Sequence, residues 1–301
     1  MEKNYAVIIN PHSGRKKGAE VWRKLRPLFQ NKGIDTHEFI STHTGHPYEI
    51  VSRLNLSIYD AIVVLGGDGT MHEVVNGIMD REDKLTKPIG LISCGTGNSF
   101  MHDLEGVNPI KAAEIILAGH TIFIDLARIT MPGLQLHAFN ILGWGLTVTI
   151  NNLAEKWRKL GGQRYNIAAL AEILKNPKWQ VKITLDGEVL EGEYAFFLAC
   201  NTVYSGNGMR VAPNAVLNDG LMDVIILKEA SRWRLIKLFA KIFSGKHIYD
   251  PLITYRQVSS FSIHPVENSV LNIDGQVTGH TPAVVNMVRE ALEVFYPLGK
   301  S

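Results

Sequence analysis

The sequence predicts a two-domain fold: an α/β domain with a doubly wound parallel sheet, then a mainly antiparallel β-sandwich domain with inserted helices. Three observations carry this. Short apolar runs alternate with helix-like stretches through residues 1–120. Some of those runs are continuously apolar, as strands covered on both faces are. After residue 120 strand-like runs dominate, separated by Asp-Gly and Asn-Gly turn signals. A chain of 301 residues buries a substantial core and favours two domains over one or three.

In chain order, Tyr5–Asn10 reads as a strand, and 16–31 as a polar helix-like stretch. His37–Thr42 is a second strand and His46–Asn55 a second helix. Ala61–Leu65 is a buried strand that breaks at Gly66-Gly67-Asp68-Gly69-Thr70 into a helix over Met71–Met79. Ile89–Ser93 is another buried strand, broken at Cys94-Gly95-Thr96-Gly97-Asn98. Pro109–Ala118 is a helix with proline in its first turn. Beyond residue 120, strands are expected at Ile122–Thr130, Leu134–Leu142, Trp179–Leu185 and Tyr194–Cys200. More follow at Asp223–Lys228, Ser259–His264 and Val270–Ile273, with helices near Asn151–Leu174 and Arg232–Phe243. The expected domains are 1–120 and 121–290, with 291–301 returning to the first.

Composition excludes several classes. With 31 basic and 29 acidic residues the net charge is +2, too small a basic excess for a protein held to nucleic acid by phosphate contacts. Hydrophobic residues at 46% and charged residues at 20% exclude intrinsic disorder. Two cysteines, Cys94 and Cys200, are too few for a disulfide framework or a cysteine zinc site and fit a reducing compartment. No apolar run approaches the length of a membrane span. The expectation is a cytoplasmic protein, soluble but able to sit peripherally on a membrane.

Three glycine-containing loops each follow an apolar strand in the first domain. In a parallel sheet such loops share one edge, outside the carboxyl ends of the strands, where ligands bind. Glycines there let backbone N–H groups approach phosphate, and helix N-termini add partial positive charge. The dinucleotide fingerprint and the P-loop are both absent. The tightest loop instead carries a carboxylate, Asp68. Beside phosphates a carboxylate needs a task, either taking a proton from an attacking hydroxyl or holding Mg2+. The bland alternative is that Asp68 caps the helix beginning near Met71.

These residues resemble a family. Gly66-Gly67-Asp68-Gly69-Thr70-Met71-His72-Glu73-Val74-Val75-Asn76-Gly77 is similar to the signature of the diacylglycerol kinase catalytic superfamily, closest to the sphingosine and ceramide kinase branch and to bacterial diacylglycerol-kinase-like lipid kinases. Asn10-Pro11-His12-Ser13-Gly14 resembles that family's opening element, and Cys94-Gly95-Thr96-Gly97-Asn98-Ser99 its third nucleotide loop. The likeness continues through Glu155-Lys156-Trp157-Arg158 to Arg164-Tyr165, then Asn218-Asp219-Gly220 and Asn272-Ile273-Asp274-Gly275.

The resemblance implies an NAD-kinase/diacylglycerol-kinase-like fold and an ATP-dependent lipid kinase that transfers the γ-phosphoryl group of MgATP to the primary hydroxyl of a lipid such as diacylglycerol, ceramide or a sphingoid base. The first domain would then bind nucleotide and the second lipid. Asp68 would be the base, with Asp274 as a second catalytic carboxylate. Nucleotide contacts are expected from Asn10, Ser13, Ser41, Thr42, Gly66, Gly67, Gly69, Thr70, Gly95, Thr96, Gly97, Asn98, Gly275 and Gln276. Arg158 and Arg164 match arginines expected to face the ATP phosphates, where an arginine fork stabilises transferring oxygens. Their bland alternative is a solvated helix face.

Three positions depart from the family pattern. Gln276 stands where the family usually has glutamate, which keeps an oxygen but loses a charge. Asn151 stands where sphingosine kinases place an aspartate against the substrate's ammonium. An asparagine cannot neutralise a cation, so the expected substrate has a neutral head, as in diacylglycerol, monoacylglycerol or ceramide. Asn218 replaces one aspartate of a pair that would hold a structural Mg2+, leaving Asp219 and Asn218 as candidate ligands or an ordinary turn.

The stretch Arg232–Phe243 places Leu235, Leu238, Phe239 and Ile242 on one face and Arg234, Lys237 and Lys241 on another. That pattern suits either packing on a domain, the preferred reading, or lying on anionic lipid. His72 and His102 are expected to make local hydrogen bonds. The implied partners are ATP, a lipid substrate and a transient membrane surface, with no nucleic acid. Oligomeric state stays open, a homodimer included. Two other readings compete: an NAD kinase, whose loop is also Gly-Gly-Asp-Gly-Thr, and a lipid- or nucleotide-binding relative without useful turnover, suggested by Gln276.

Overall fold

The computed structural model describes residues 3–13, 18–94, 98–175, 177–206, 208–228 and 230–299, without the side chains of residues 158, 159 and 162. The chain divides into two compact units, residues 1–124 with 290–301, and residues 125–289.

The first unit is built on parallel strands. In chain order, β1 is Lys3–Ile9, α1 Gly18–Gln30, β2 Ile34–Ile40 and α2 His46–Arg53. Then come β3 Ala61–Gly66, α3 Asp68–Met79, β4 Ile89–Ser93, α4 Ser99–Asp103 and α5 Pro109–Ala118. β1 pairs in parallel with both β2 and β3, and β3 with β4. Val294, from the returning C-terminal segment, pairs in parallel with Ile89 and so adds a strand beside β4. β3 and β4 are buried along their whole length, which explains their uninterrupted apolar sequence. Trp22 and Phe29 of α1 pack in contact with each other, and Phe29 meets Tyr5 of β1 edge-on. Asn108 caps α5 by accepting from the Ile110 N–H at 2.8 Å, and Pro109 occupies the first turn.

The second unit is antiparallel in every pairing described below. Its strands begin with β5, Thr121–Met131, which enters it at Asp125, then β6 Leu134–Ala138 and β7 Ile141–Gly145. Helices α6, Leu146–Lys156, and α7, Arg164–Lys175, follow, joined by a 3-10 turn. Next are β8 Trp179–Leu185, β9 Glu188–Cys200, β10 Tyr204–Ser205, β11 Met209–Arg210 and β12 Met222–Lys228. After α8, Arg232–Ile242, come β13 Ile253–Val258, β14 Ser260–Pro265, β15 Val270–Ile273, β16 Gln276–His280 and β17 Ala283–Phe295. The strand β9 is the hub, pairing with β7, β8 and β12. Two Asp-Gly pairs close two-residue hairpins, Asp186-Gly187 and Asp274-Gly275. All four residues have positive φ (42°, 91°, 50° and 85°), the conformation such turns require. The core gathers Trp144, Phe197, Phe261, Ile263, Leu271 and Ile273 from these strands.

The elements differ from the sequence expectation at three instructive places. The expected strand Leu134–Leu142 is two strands, because the N–H groups of Phe139, Asn140 and Ile141 turn to the Asp274 carboxylate instead of a ladder. The expected helix Asn151–Leu174 is α6 and α7, interrupted where Gly161 takes φ 62°. Sequence alone also passes over 188–193, the acid-rich half of β9, because its side chains are mostly exposed and lack a strong apolar alternation.

One buried carboxylate sets a pH dependence. Asp223 on β12 accepts from the Tyr255 hydroxyl and, at 3.5 Å, from Gln257 Nε2 on β13. Burial outweighs those bonds and pushes its pKa from 3.8 up to about 6. Between those values the folded chain holds a proton that the unfolded chain has released, so stability falls as pH rises through the interval. We expect Asp223→Asn, which keeps an oxygen for Tyr255, to flatten this fall in urea unfolding curves. An unchanged pH slope would exclude Asp223 as its source.

Candidate active site

The carboxyl ends of β1, β2 and β3 converge through backbone bonds that continue past the strands. Asn10 N–H donates to Leu65 O at 2.9 Å, Ser41 N–H to Ile9 O at 2.8 Å and Cys94 N–H to Gly66 O at 2.8 Å. Asn10, Ser41, Gly66 and Cys94 therefore share one edge of the sheet, each just beyond or at the end of its strand. Thr42 follows on the exposed side, its N–H donating to His46 Nδ1 at 3.0 Å.

The corner between β3 and α3 is tight. Helix α3 starts at Asp68, three residues before the expected Met71, with Gly67 as its cap and the Thr70 and Met71 N–H groups donating to Gly67 O. Asp68 is thus not the cap of its helix. Its Oδ2 accepts instead from the Ser99 N–H at 2.9 Å, at the start of α4. Thr70 packs onto Gly66, where a Cβ would lie 2.4 Å from that of Thr70. The Thr70 hydroxyl also accepts from Asn10 Nδ2 at 3.0 Å. Asn10 O in turn accepts from the Ser13 hydroxyl at 2.7 Å, and Asn10 Oδ1 from the His12 N–H. Asn98, in the left-handed region at φ 46°, accepts from the Ser93 hydroxyl.

Asn10, Ser13, Ser41, Gly66, Gly67, Asp68, Gly69, Thr70 and Asn98 are thus carried on adjoining segments at one sheet edge. Gly14, Gly95, Thr96, Gly97 and the side chain of Arg158 lie outside the described residues. Two supports were not singled out from the sequence. Glu73 accepts from the Gly45 N–H at 3.0 Å, fixing the start of α2, and burial raises its pKa despite that bond. Ser99 supplies the N–H to Asp68. Both lay within quoted motifs, but their roles depend on segments far away in sequence. Burial also pushes the Cys94 thiol up, which keeps it protonated near neutral pH.

In the second unit the late motif is a buried backbone clamp. Asp274 is 1% exposed, and its carboxylate accepts from Asn140 and Ile141 N–H at 2.9 and 3.0 Å and from Phe139 N–H at 3.3 Å. Asn151, buried on α6, donates from Nδ2 to Gly275 O at 2.8 Å. The two departures at Asn151 and Gln276 are therefore neighbours around one turn. Arg164 is not on a solvated face. Its side chain is 13% exposed, pairs with Glu155 at 3.0 Å and lies over the Tyr165 ring.

Asp219 stands in a turn, its Oδ1 accepting from Leu221 N–H at 2.9 Å. Asn218 beside it is exposed. The adjoining Gly220 N–H donates to Asp125, a buried carboxylate that sequence reading passed over inside an apolar strand. Among the described residues no group of three or more His, Cys, Asp and Glu side chains gathers as a metal site. None of their helices is long and apolar enough to cross a membrane.

Comparison with known proteins agrees with this architecture. Residues 4–129 match the diacylglycerol kinase catalytic domain, and residues 140–296 the YegS C-terminal NAD kinase beta sandwich-like domain. A diacylglycerol kinase of Bacillus subtilis is 30% identical over 99% of this chain and 98% of its own. Sphingosine kinase 1 of Arabidopsis thaliana is 27% identical over 91% of this chain and 68% of its own. A crystal structure of a diacylglycerol kinase from Bacillus anthracis superposes with a TM-score of 0.79 at 25% identity, covering 99% of this chain and 98% of that one. The two family matches, together with a relative 30% identical over almost the whole chain, place this chain in the diacylglycerol kinase catalytic family of lipid kinases.

Proposed function

We propose that this chain phosphorylates the primary hydroxyl of a lipid with a neutral head, using ATP, with Asp68 as the general base. The observation that carries this reading is the placement of Asp68. It opens α3 at the sheet edge and is oriented by the Ser99 N–H of another segment, rather than spent as a cap on its own helix. A carboxylate so oriented can take the proton of a hydroxyl as that oxygen attacks the transferring phosphorus.

The residues at the edge suit a nucleotide. Gly67 caps α3 without a side chain of its own, and α3 brings its positive end to this corner. Asn10, Ser13, Thr70 and Asn98 offer polar groups around it, with Ser41 and Thr42 beside them. Bound Mg2+ would neutralise charge on the phosphate oxygens, with Asp68 as the carboxylate of this edge able to ligate it. Arg158 and Arg164 are the proposed arginine partners of the phosphoryl oxygens, Arg164 being nearly buried and held by Glu155. Asp274 acts as a positioning residue that fixes the turn carrying Gly275 and Gln276. Asn218 and Asp219 remain proposed ligands of a weak structural cation.

Asn151 supports the neutral head. It brings no charge to the turn and donates to Gly275 O, a bond that an ionised aspartate could not make. Such a substrate must be reached in a bilayer, so the enzyme works by transient membrane contact in the cytoplasm.

With radiolabelled ATP, diacylglycerol, monoacylglycerol or ceramide should be labelled in preference to sphingosine and NAD. Sphingosine as the best acceptor would overturn the neutral-head reading, and no labelled product at all would overturn the kinase reading. Asp68→Asn should lower kcat by about 100- to 10,000-fold while ATP binding measured by calorimetry is kept. Retained turnover would remove Asp68 as the base. Asp274→Ala strands three backbone N–H groups and should cost at least about 2 kcal/mol in urea unfolding, with Asp274→Asn recovering part. Equal stability of the two variants would count against the clamp.

A further inference from the structure

Helix α8 resolves into two faces that do different things. Leu235 and Leu238 are buried with Leu146, Ile173 and Leu227, and Ile236 and Phe239 pack against that cluster. Packing therefore accounts for the apolar stripe. It does not account for the opposite stripe, where Trp233, Lys237 and Lys241 follow at i, i+4 and i+8.

Trp233 is 78% exposed, Phe243 43% and Tyr249 79%. The segment 231–249 carries Arg232, Arg234, Lys237, Lys241 and Lys246 and no acidic residue. Asp250 closes it, buried, and accepts from Arg234 at 2.9 Å and Lys241 at 3.2 Å. Those two bonds tie the end of the 3-10 turn Lys246–Tyr249 to α8.

The segment thus exposes aromatic rings among cations. Water solvates exposed tryptophan and tyrosine poorly, and both settle at the headgroup level of a bilayer, while lysine and arginine are drawn to anionic lipid. A packed inner face and a charged, aromatic outer face fit a helix that lies on a surface without leaving its domain. We propose that the outer face of α8, with Trp233 as its anchor, docks the protein on an anionic lipid bilayer. The choice of a bilayer as occupant rests on the lipid-alcohol reading above.

Co-sedimentation with vesicles of equal parts phosphatidylglycerol and phosphatidylcholine tests this, against vesicles of phosphatidylcholine alone. The full chain should sediment with the anionic vesicles only, and tryptophan emission should shift to the blue. Trp22 and Trp144 are already buried, and Trp157 and Trp179 are partly covered, so Trp233 is the expected reporter. Arg232→Gln and Lys237→Gln should each weaken partitioning about five-fold, as loss of one cation near an anionic surface predicts. Trp233→Ala should abolish the blue shift and weaken binding. All three positions are exposed, and their variants should keep wild-type thermal unfolding.

Variants that sediment like the wild type would overturn the proposal. So would a wild type that ignores anionic vesicles, or a Trp233-dependent dimer in sedimentation velocity, which would assign the face to a second copy. Docking through α8 without phosphorylation of any lipid alcohol would overturn the kinase reading and leave the surface standing. Phosphorylation of a water-dispersed short-chain diacylglycerol, with no vesicle binding, would do the reverse.

Discussion

Where β3 becomes α3 the backbone has no room for a side chain. Thr70 sits against Gly66, and its hydroxyl receives the Asn10 amide, so the ends of β1 and β3 are locked to the first turn of α3. Gly66 O receives the Cys94 N–H, which ties in β4. The geometry of Asp68 follows from this corner. Its helix begins at once, the cap is Gly67, and the carboxylate is left to meet the Ser99 N–H. Loosening the corner would let Asp68 move with its helix and would separate it from the other loops at the edge.

A second carboxylate organises the other unit in a different manner. Asp274 accepts from three consecutive backbone N–H groups between β6 and β7, while Asn151 holds the carbonyl of the next residue. A buried carboxylate is tolerated only when its oxygens are satisfied, and here the strand break supplies the donors. The same residue type thus has two fates in one chain. At the sheet edge it opens a helix and meets the Ser99 N–H, and within a hairpin at 1% exposure it clamps a strand break.

Helix α8 shows how far periodicity reaches. Its apolar stripe was readable because Leu235, Leu238, Phe239 and Ile242 repeat at helical spacing, and three of these four belong to or pack on one cluster. Trp233 and Tyr249 fall outside that stripe, and nothing in their spacing says whether a ring is covered. The fold decides it: both rings are left exposed, while Asp250, next to Tyr249, is tied to Arg234 and Lys241.

Sequence by itself determined the alternating strands and helices of the first unit, the antiparallel character of the second and the loop that carries Asp68. These follow from local rules: apolar runs for strands covered on both faces, Asp-Gly pairs for tight hairpins, and glycines where backbone must approach closely. Tertiary structure alone decided that Asp68 answers to Ser99, that Asp274 is a clamp and that Asn151 touches Gly275. It also split the expected strand at Phe139 and turned Arg164 inward onto Glu155. Each of these depends on a hydrogen bond or ion pair set by how distant segments, or successive helices, pack against one another. A pattern along the chain records which groups are present, and only the fold selects which of them meet.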